Sequence, residues 1–203
     1  LDSIREANKV LVSEMAGTLL TIAKDVKVQI EFNPAKVKAY RLLGYENRLL
    51  AKEDFEDDTK DAGELGAGPT VTFLYEIVPA GADEALRPTP ELKYQDTEVS
   101  EEAQQTDELL TLKLRYKQPD GDESILMAQP VLDEAVPLDQ TSDNFRFSAA
   151  VAGFGMLLRD SAFKGDATYE SVRELARSAT GDDEAGYRLE FLQLVETAEL
   201  LGG

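Results

Sequence analysis

Six carboxylates crowd between positions 54 and 64: Asp54, Glu56, Asp57, Asp58, Asp61 and Glu64. Hard oxygen ligands at that density suit calcium, which takes about six to eight of them. The EF-hand register fails in both frames, however. Counted from Asp54, the glycine position holds Thr59 and the closing glutamate position holds Leu65. Counted from Asp57, the third position is Thr59 and the twelfth is Gly68. The expectation is therefore a solvated acidic loop, with a calcium-responsive binding module built on residues 53–64 as an alternative.

The rest of the catalytic vocabulary is short. The chain has no histidine and no cysteine. That excludes a Ser-His-Asp triad, a thiolate nucleophile and a His/Cys zinc site. Paired carboxylates could serve a glycosidase-type hydrolase, but 40 acidic residues make pairs unavoidable and none stands out by apolar flanks. Glu31 and Glu76 fall on the outward phase of expected strands, where a solvated charge belongs. Gly66-Ala67-Gly68 lacks the lysine of a P-loop and precedes a strand instead of opening a helix. Tyr40, Tyr45, Tyr75 and Tyr116 sit in strand-like segments and read as packing residues. No catalytic, cofactor-binding or metal-ligating residue is assigned to this chain.

Those groups must be held by a folded domain, and the composition provides one. Hydrophobic residues make up 42% and charged residues 30%, a globular balance. The net charge of −19 opposes a phosphate backbone and an anionic membrane surface alike. No apolar run approaches the ~20 residues of a membrane span. The start at Leu1 leads to the expectation of a fragment or processed product.

The pattern of apolar residues supplies the elements. Ile4, Ala7, Leu11 and Met15 recur at helical spacing, so residues 1–16 read as a helix ended by Gly17. In 25–33, Val26, Val28, Ile30 and Phe32 alternate with Lys27, Gln29, Glu31 and Asn33, a strand with one face buried. Residues 18–24 read as a separate strand, 37–45 as a less regular one, and Asn33-Pro34 breaks the chain between them. Residues 52–68 and 79–108 read as loops. Between them, 70–78 is a strand with Val71, Phe73, Tyr75 and Ile77 on one face. Residues 109–117 and 124–129 form a hairpin across Asp120-Gly121. After Pro137 the period becomes helical. Ser142 or Asp143 caps a helix to about 161, with a stripe of Phe147, Ala150, Val151, Phe154, Leu157 and Leu158. Thr168 caps a shorter helix carrying Val172, Leu175 and Ala179. Beyond Gly181, Tyr187, Phe191, Leu194, Val195, Ala198 and Leu201 mark a last one. Strands first and helices after indicate an α+β fold.

The stretch GTLLTIAKDVKVQIEFNPAKVKAYRLLGYENRLL, residues 17–50, resembles the C-terminal part of bacterial von Willebrand factor type A domain proteins. So do FEDDTKDAGELGAGPTVTFLYEIVP at 55–79 and the later segments FSAAVAGFGMLLRDSAFKG and YRLEFLQLVETAELL. Gly44-Tyr45-Glu46-Asn47-Arg48 and the run from Asp57 to Glu64 carry the resemblance most specifically. In such proteins a domain of unknown function follows the metal-binding A domain. The resemblance implies that a divalent cation belongs to the upstream A domain, whose Asp-x-Ser-x-Ser motif does not occur in this sequence. It also implies an exported, envelope-associated protein.

The combined expectation has three parts: a linker helix at 1–16, an antiparallel β-sandwich-like domain at 17–142, and a small three-helix unit at 143–203. Its role would be that of a non-enzymatic accessory module. The partners expected are the upstream A domain and an unidentified protein, with no nucleic acid and no direct membrane insertion. The expected location is extracytoplasmic, either periplasmic or anchored as a lipoprotein.

Overall fold

The computed structural model describes residues 20–44, 55–57, 62–68, 70–82 and 99–202. The expected helix at 1–16 lies outside them. The chain divides into two compact units. One holds most of residues 1–133, and the other holds 134–203 with short pieces at 42–44 and 72–74.

The fold is α+β. In the first unit four strands form a sheet in the order β3-β1-β5-β6. They are β1 (Thr21–Phe32), β3 (Gly63–Gly66), β5 (Glu108–Lys117) and β6 (Ser124–Leu132), and every neighbouring pair is antiparallel. Strands β2 (Val37–Leu43) and β4 (Leu74–Pro79) make a separate two-stranded sheet. Phe32 stacks on Tyr40 with ring centroids 4.2 Å apart and meets the edge of Tyr75 at 5.5 Å. Those rings join β1 to the small sheet and give the unit its sandwich-like character.

The two strands expected at 18–24 and 25–33 are one. β1 runs through both with its register broken between Lys24 and Lys27, where Asp25 adopts φ +52°. A bulge keeps the ladder while resetting which side chains face which way. Lys117 reaches across to Asp25 at 2.7 Å. That hydrogen bond holds the Asp25 carboxyl below its usual range against the opposing effect of burial.

Asn33 explains the break after β1. It is buried, and its amide donates to the carbonyls of Ala103 at 2.9 Å and Glu108 at 2.8 Å. Its side-chain oxygen accepts from Ala35 N–H at 2.9 Å, and its backbone carbonyl from Val37 N–H at 2.9 Å. One side chain thus turns the chain from β1 into β2 and fixes the approach to β5. That approach contains a short helix, α1 (Glu101–Gln105), capped by Ser100, where the sequence reads as loop. Gly63–Gly66 likewise pairs as β3 inside the segment read as acidic loop. At 70–78 the strand is shorter than expected. It begins at Leu74, and Val71 and Phe73 before it are exposed.

The second unit packs α2 (Asp143–Leu158), α3 (Tyr169–Arg177) and α4 (Tyr187–Gly202) around Ala150, Val172, Ala176, Leu192 and Val195. Phe147 and Phe154 of α2 both meet Phe191 edge-on, at 5.2 and 5.4 Å. Small residues allow α3 to approach. A methyl group on Gly153 would sit 3.2 Å from Val172 Cγ2. The close approach narrows the stripes read from the sequence. Val151 and Leu158 of α2 and Leu194 and Leu201 of α4 are exposed, while Leu192 enters the core. A helix seated through small residues buries the row they occupy, and the adjacent bulky row turns outward.

Two outcomes follow. Asn33→Ala leaves two part-buried carbonyls without this donor and should cost about 1–3 kcal/mol in urea unfolding. Gly153→Leu overfills the α2–α3 contact and should cost about 1–3 kcal/mol by the same measurement.

Candidate functional site

The four-stranded sheet has two unlike faces. On one, cross-strand rows join Phe32, Leu110 and Val131, then Ile30 and Leu112, then Val28, Leu114 and Met127, then Tyr116 and Ile125. None of these side chains is buried, and Met127 is 54% exposed. Alternation along each strand sends them all to the same side. The result is a continuous apolar face on which, among the described residues, the rings of Tyr40 and Tyr75 meet Phe32 at one end.

The opposite face carries Lys24, Lys27, Lys113, Arg115 and Lys117 in register. In a chain of net charge −19 this is a local concentration of cations. Its charges are used internally. Lys113 donates to Glu31 at 2.9 Å, and Lys117 pairs with Asp25. Lys27 is 3% exposed and donates to the Asp57 carbonyl. The sequence places Lys27 outside and Val28 inside, and the structure reverses them: Val28 is 38% exposed. The physical reason is segment 55–57, with buried Phe55, which lies on the lysine side. The lysine stem is apolar and its ammonium finds a carbonyl, so its burial is compensated.

The expected acidic loop is only partly visible. Asp54, Asp58 and Asp61 lie outside the described residues. Of the others, Asp57 receives Lys27 through its backbone, and Glu64 belongs to β3 and accepts from the Thr21 hydroxyl at 3.4 Å. Among the described residues, no three His, Cys, Asp or Glu side chains cluster closely enough to hold a metal ion. Glu31 and Glu76 are exposed, as expected, and each meets a cation, Lys113 and Arg41 respectively. Tyr40 and Tyr75 pack with Phe32, and Tyr116 lies opposite Ile125. Tyr45 is outside the described residues. Burial and then the neighbouring Tyr40 raise the Tyr75 hydroxyl above the usual tyrosine range.

An open hollow of about 500 Å³ lies where the helix ends meet in the second unit. Its polar groups serve the fold. Ser142 caps α2 by accepting from Phe145 N–H at 3.2 Å. Asp183, at φ +28°, accepts from the N–H groups of Arg188 at 3.1 Å and Leu189 at 2.9 Å. It thereby satisfies the first turn of α4. Arg188 donates to the Ala179 carbonyl and the Asn144 side chain, and its guanidinium lies 4.9 Å from the centre of the Phe147 ring. A smaller hollow of about 310 Å³ beside Asn33 and Thr106 is built on bonds already assigned to the β1–β5 junction. Sequence reasoning found the caps at Ser142 and Thr168 but not those at Ser100 and Asp183. It missed the open face, because period-2 alternation reports which residues share a side and not whether anything covers it.

This α+β chain belongs to the family described as "Uncharacterized protein YfbK, C-terminal", whose model matches residues 17–201. Over 199 residues it is 41% identical to uncharacterized protein YfbK of Escherichia coli (strain K12), covering 98% of this chain and 34% of that protein. The chain thus spans about a third of the length of this curated relative. No solved structure matches it.

The Asp183 cap has a pH signature. Burial pushes its carboxyl up, but the N–H groups of Leu189 and Arg188 and the Arg188 charge more than offset this, so it lies below its usual 3.8. A depressed carboxyl contributes stability above that value and loses it as pH falls through the folded value. Asp183→Ala should cost about 1 kcal/mol at neutral pH. The gap to the parent chain should shrink when unfolding is measured below pH ~3.

Proposed function

We propose that this chain is a non-enzymatic accessory module of a von Willebrand factor type A domain protein, serving protein–protein assembly at the cell envelope. The open apolar face of the four-stranded sheet carries this reading. Half-exposed leucine, isoleucine and methionine in continuous rows cost free energy in water and gain it when a partner excludes that water. Several polar groups around both hollows, Ser142, Asp183, Arg188 and Asn33 among them, are engaged in caps and junctions, which further supports a scaffold role. The sequence resemblance implies an A domain upstream. The length of the curated relative, of which this chain spans about a third, leaves room for such a neighbour.

The full polypeptide carrying this chain can be tested in its own cells. A photo-crosslinking residue at Met127 should give a discrete protein adduct, or an internal crosslink to another part of the polypeptide. The same residue at exposed Glu184 should give neither. Met127→Asp combined with Val131→Asp should abolish capture at a crosslinker placed on Leu112. The double change should leave the melting temperature within a few degrees, because both side chains are already exposed. Equal yields at Met127 and Glu184 would sink the reading. Recovery of the polypeptide in the cytosolic fraction would remove its envelope part.

A further inference from the structure

Within the assembly role proposed above, on which this inference rests, the recognition element is specified by the edge of the sheet. β6 is an outer strand: β5 pairs with one side of it, and no described strand pairs with the other. An antiparallel edge leaves every second residue's N–H and C=O pointing outward. Edges are commonly guarded by charges, yet Ser124–Leu132 (SILMAQPVL) contains none, in a chain that is 30% charged. Its one guard is Pro130, which removes a single N–H. Every residue from Ile125 to Leu132 is exposed.

The charges sit just beyond the strand. Asp120, Asp122 and Glu123 precede it, Asp133 and Glu134 follow it, and all five are exposed. Asp122 has Lys24 at 3.6 Å. An uncharged ladder bracketed by acids at both ends has a definite complement. We infer that β6 accepts an extended peptide segment as an added strand, and that this segment is apolar in its middle and basic at both ends. Nine strand residues span about 30 Å, which sets the separation of the two basic ends. Main-chain hydrogen bonds supply the pairing, and the end charges set the choice of partner. A second copy of this chain is a poor occupant. Twofold antiparallel pairing of β6 with itself would bring Asp133 and Glu134 against Asp120 and Glu123 at both ends, between chains of charge −19.

The test uses the whole 203-residue chain and synthetic peptides. One peptide has a core of alternating valine and threonine with two lysines at each end. Its control has the same core with glutamates at the ends. The readouts are titration calorimetry and amide hydrogen exchange across 124–132. The lysine-ended peptide should bind roughly tenfold more tightly at low salt, slow exchange of β6 amides, and lose its advantage in high salt. The variant Asp120→Lys, Glu123→Lys, Asp133→Lys, Glu134→Lys should invert the preference. Equal affinity for both peptides, no inversion, or protection confined to residues outside β6 would overturn the inference. So would slow β6 exchange in a peptide-free dimer, since a second copy would then hold the edge. An adduct at Met127 together with any of these failures leaves the assembly reading standing and removes only strand addition.

Discussion

The β-rich unit hangs on the amide of Asn33. Two donors and one acceptor on a single buried side chain connect the end of β1, the turn into β2, and the chain entering β5. These segments are far apart in sequence, the longest separation being 75 residues. Local propensity cannot supply such a link. Asparagine suits the position because it offers donors to two carbonyls and an acceptor to an N–H at once, which neither aspartate nor leucine does. With that junction fixed, β1 and β5 lie in one register from Lys27 to Phe32. That register in turn decides which rows of side chains share a face.

Electrostatics follows the same geometry. Excess acid is carried by loops and strand ends, whereas cations are gathered on one face of β1 and β5 and neutralised there by Asp25 and Glu31. The sheet therefore has a polar face occupied with internal pairs and an apolar face whose side chains are all at least partly exposed. Net charge describes the solvent-exposed perimeter more than the sheet itself.

Much of this was legible in the sequence. The hairpin across Asp120-Gly121, the caps at Ser142 and Thr168 and the α+β class follow from short-range chemistry, and they appear in the structure. The misreadings share a cause. The bulge at Asp25, the burial of Lys27, and the shift of the α2 and α4 stripes all depend on a distant segment arriving at the element. Segment 55–57 reaches the lysine face, and α3 reaches Gly153. Periodicity names the residues on a face, but a neighbour decides whether that face is inside. The apolar sheet face is the converse case, a pattern that reads as core and yet holds no buried side chain among its described residues.

The second unit shows what sealing both ends of a short helix achieves. α3 has nine residues, below the ~12–15 at which isolated helices become marginal. A capping box between Thr168 and Ser171 closes its start. The carbonyls just past its end receive guanidinium groups, Ser178 from Arg146 at 3.4 Å and Ala179 from Arg188. Those arginines belong to the opening turns of α2 and α4, so the end of α3 is finished by residues from two other helices. The C-terminal side of α3 cannot fray without releasing Arg146 and Arg188 of its neighbours. To a protease, or to a chaperone sampling loose segments, residues 168–179 present no loose end until the helical unit opens as a whole.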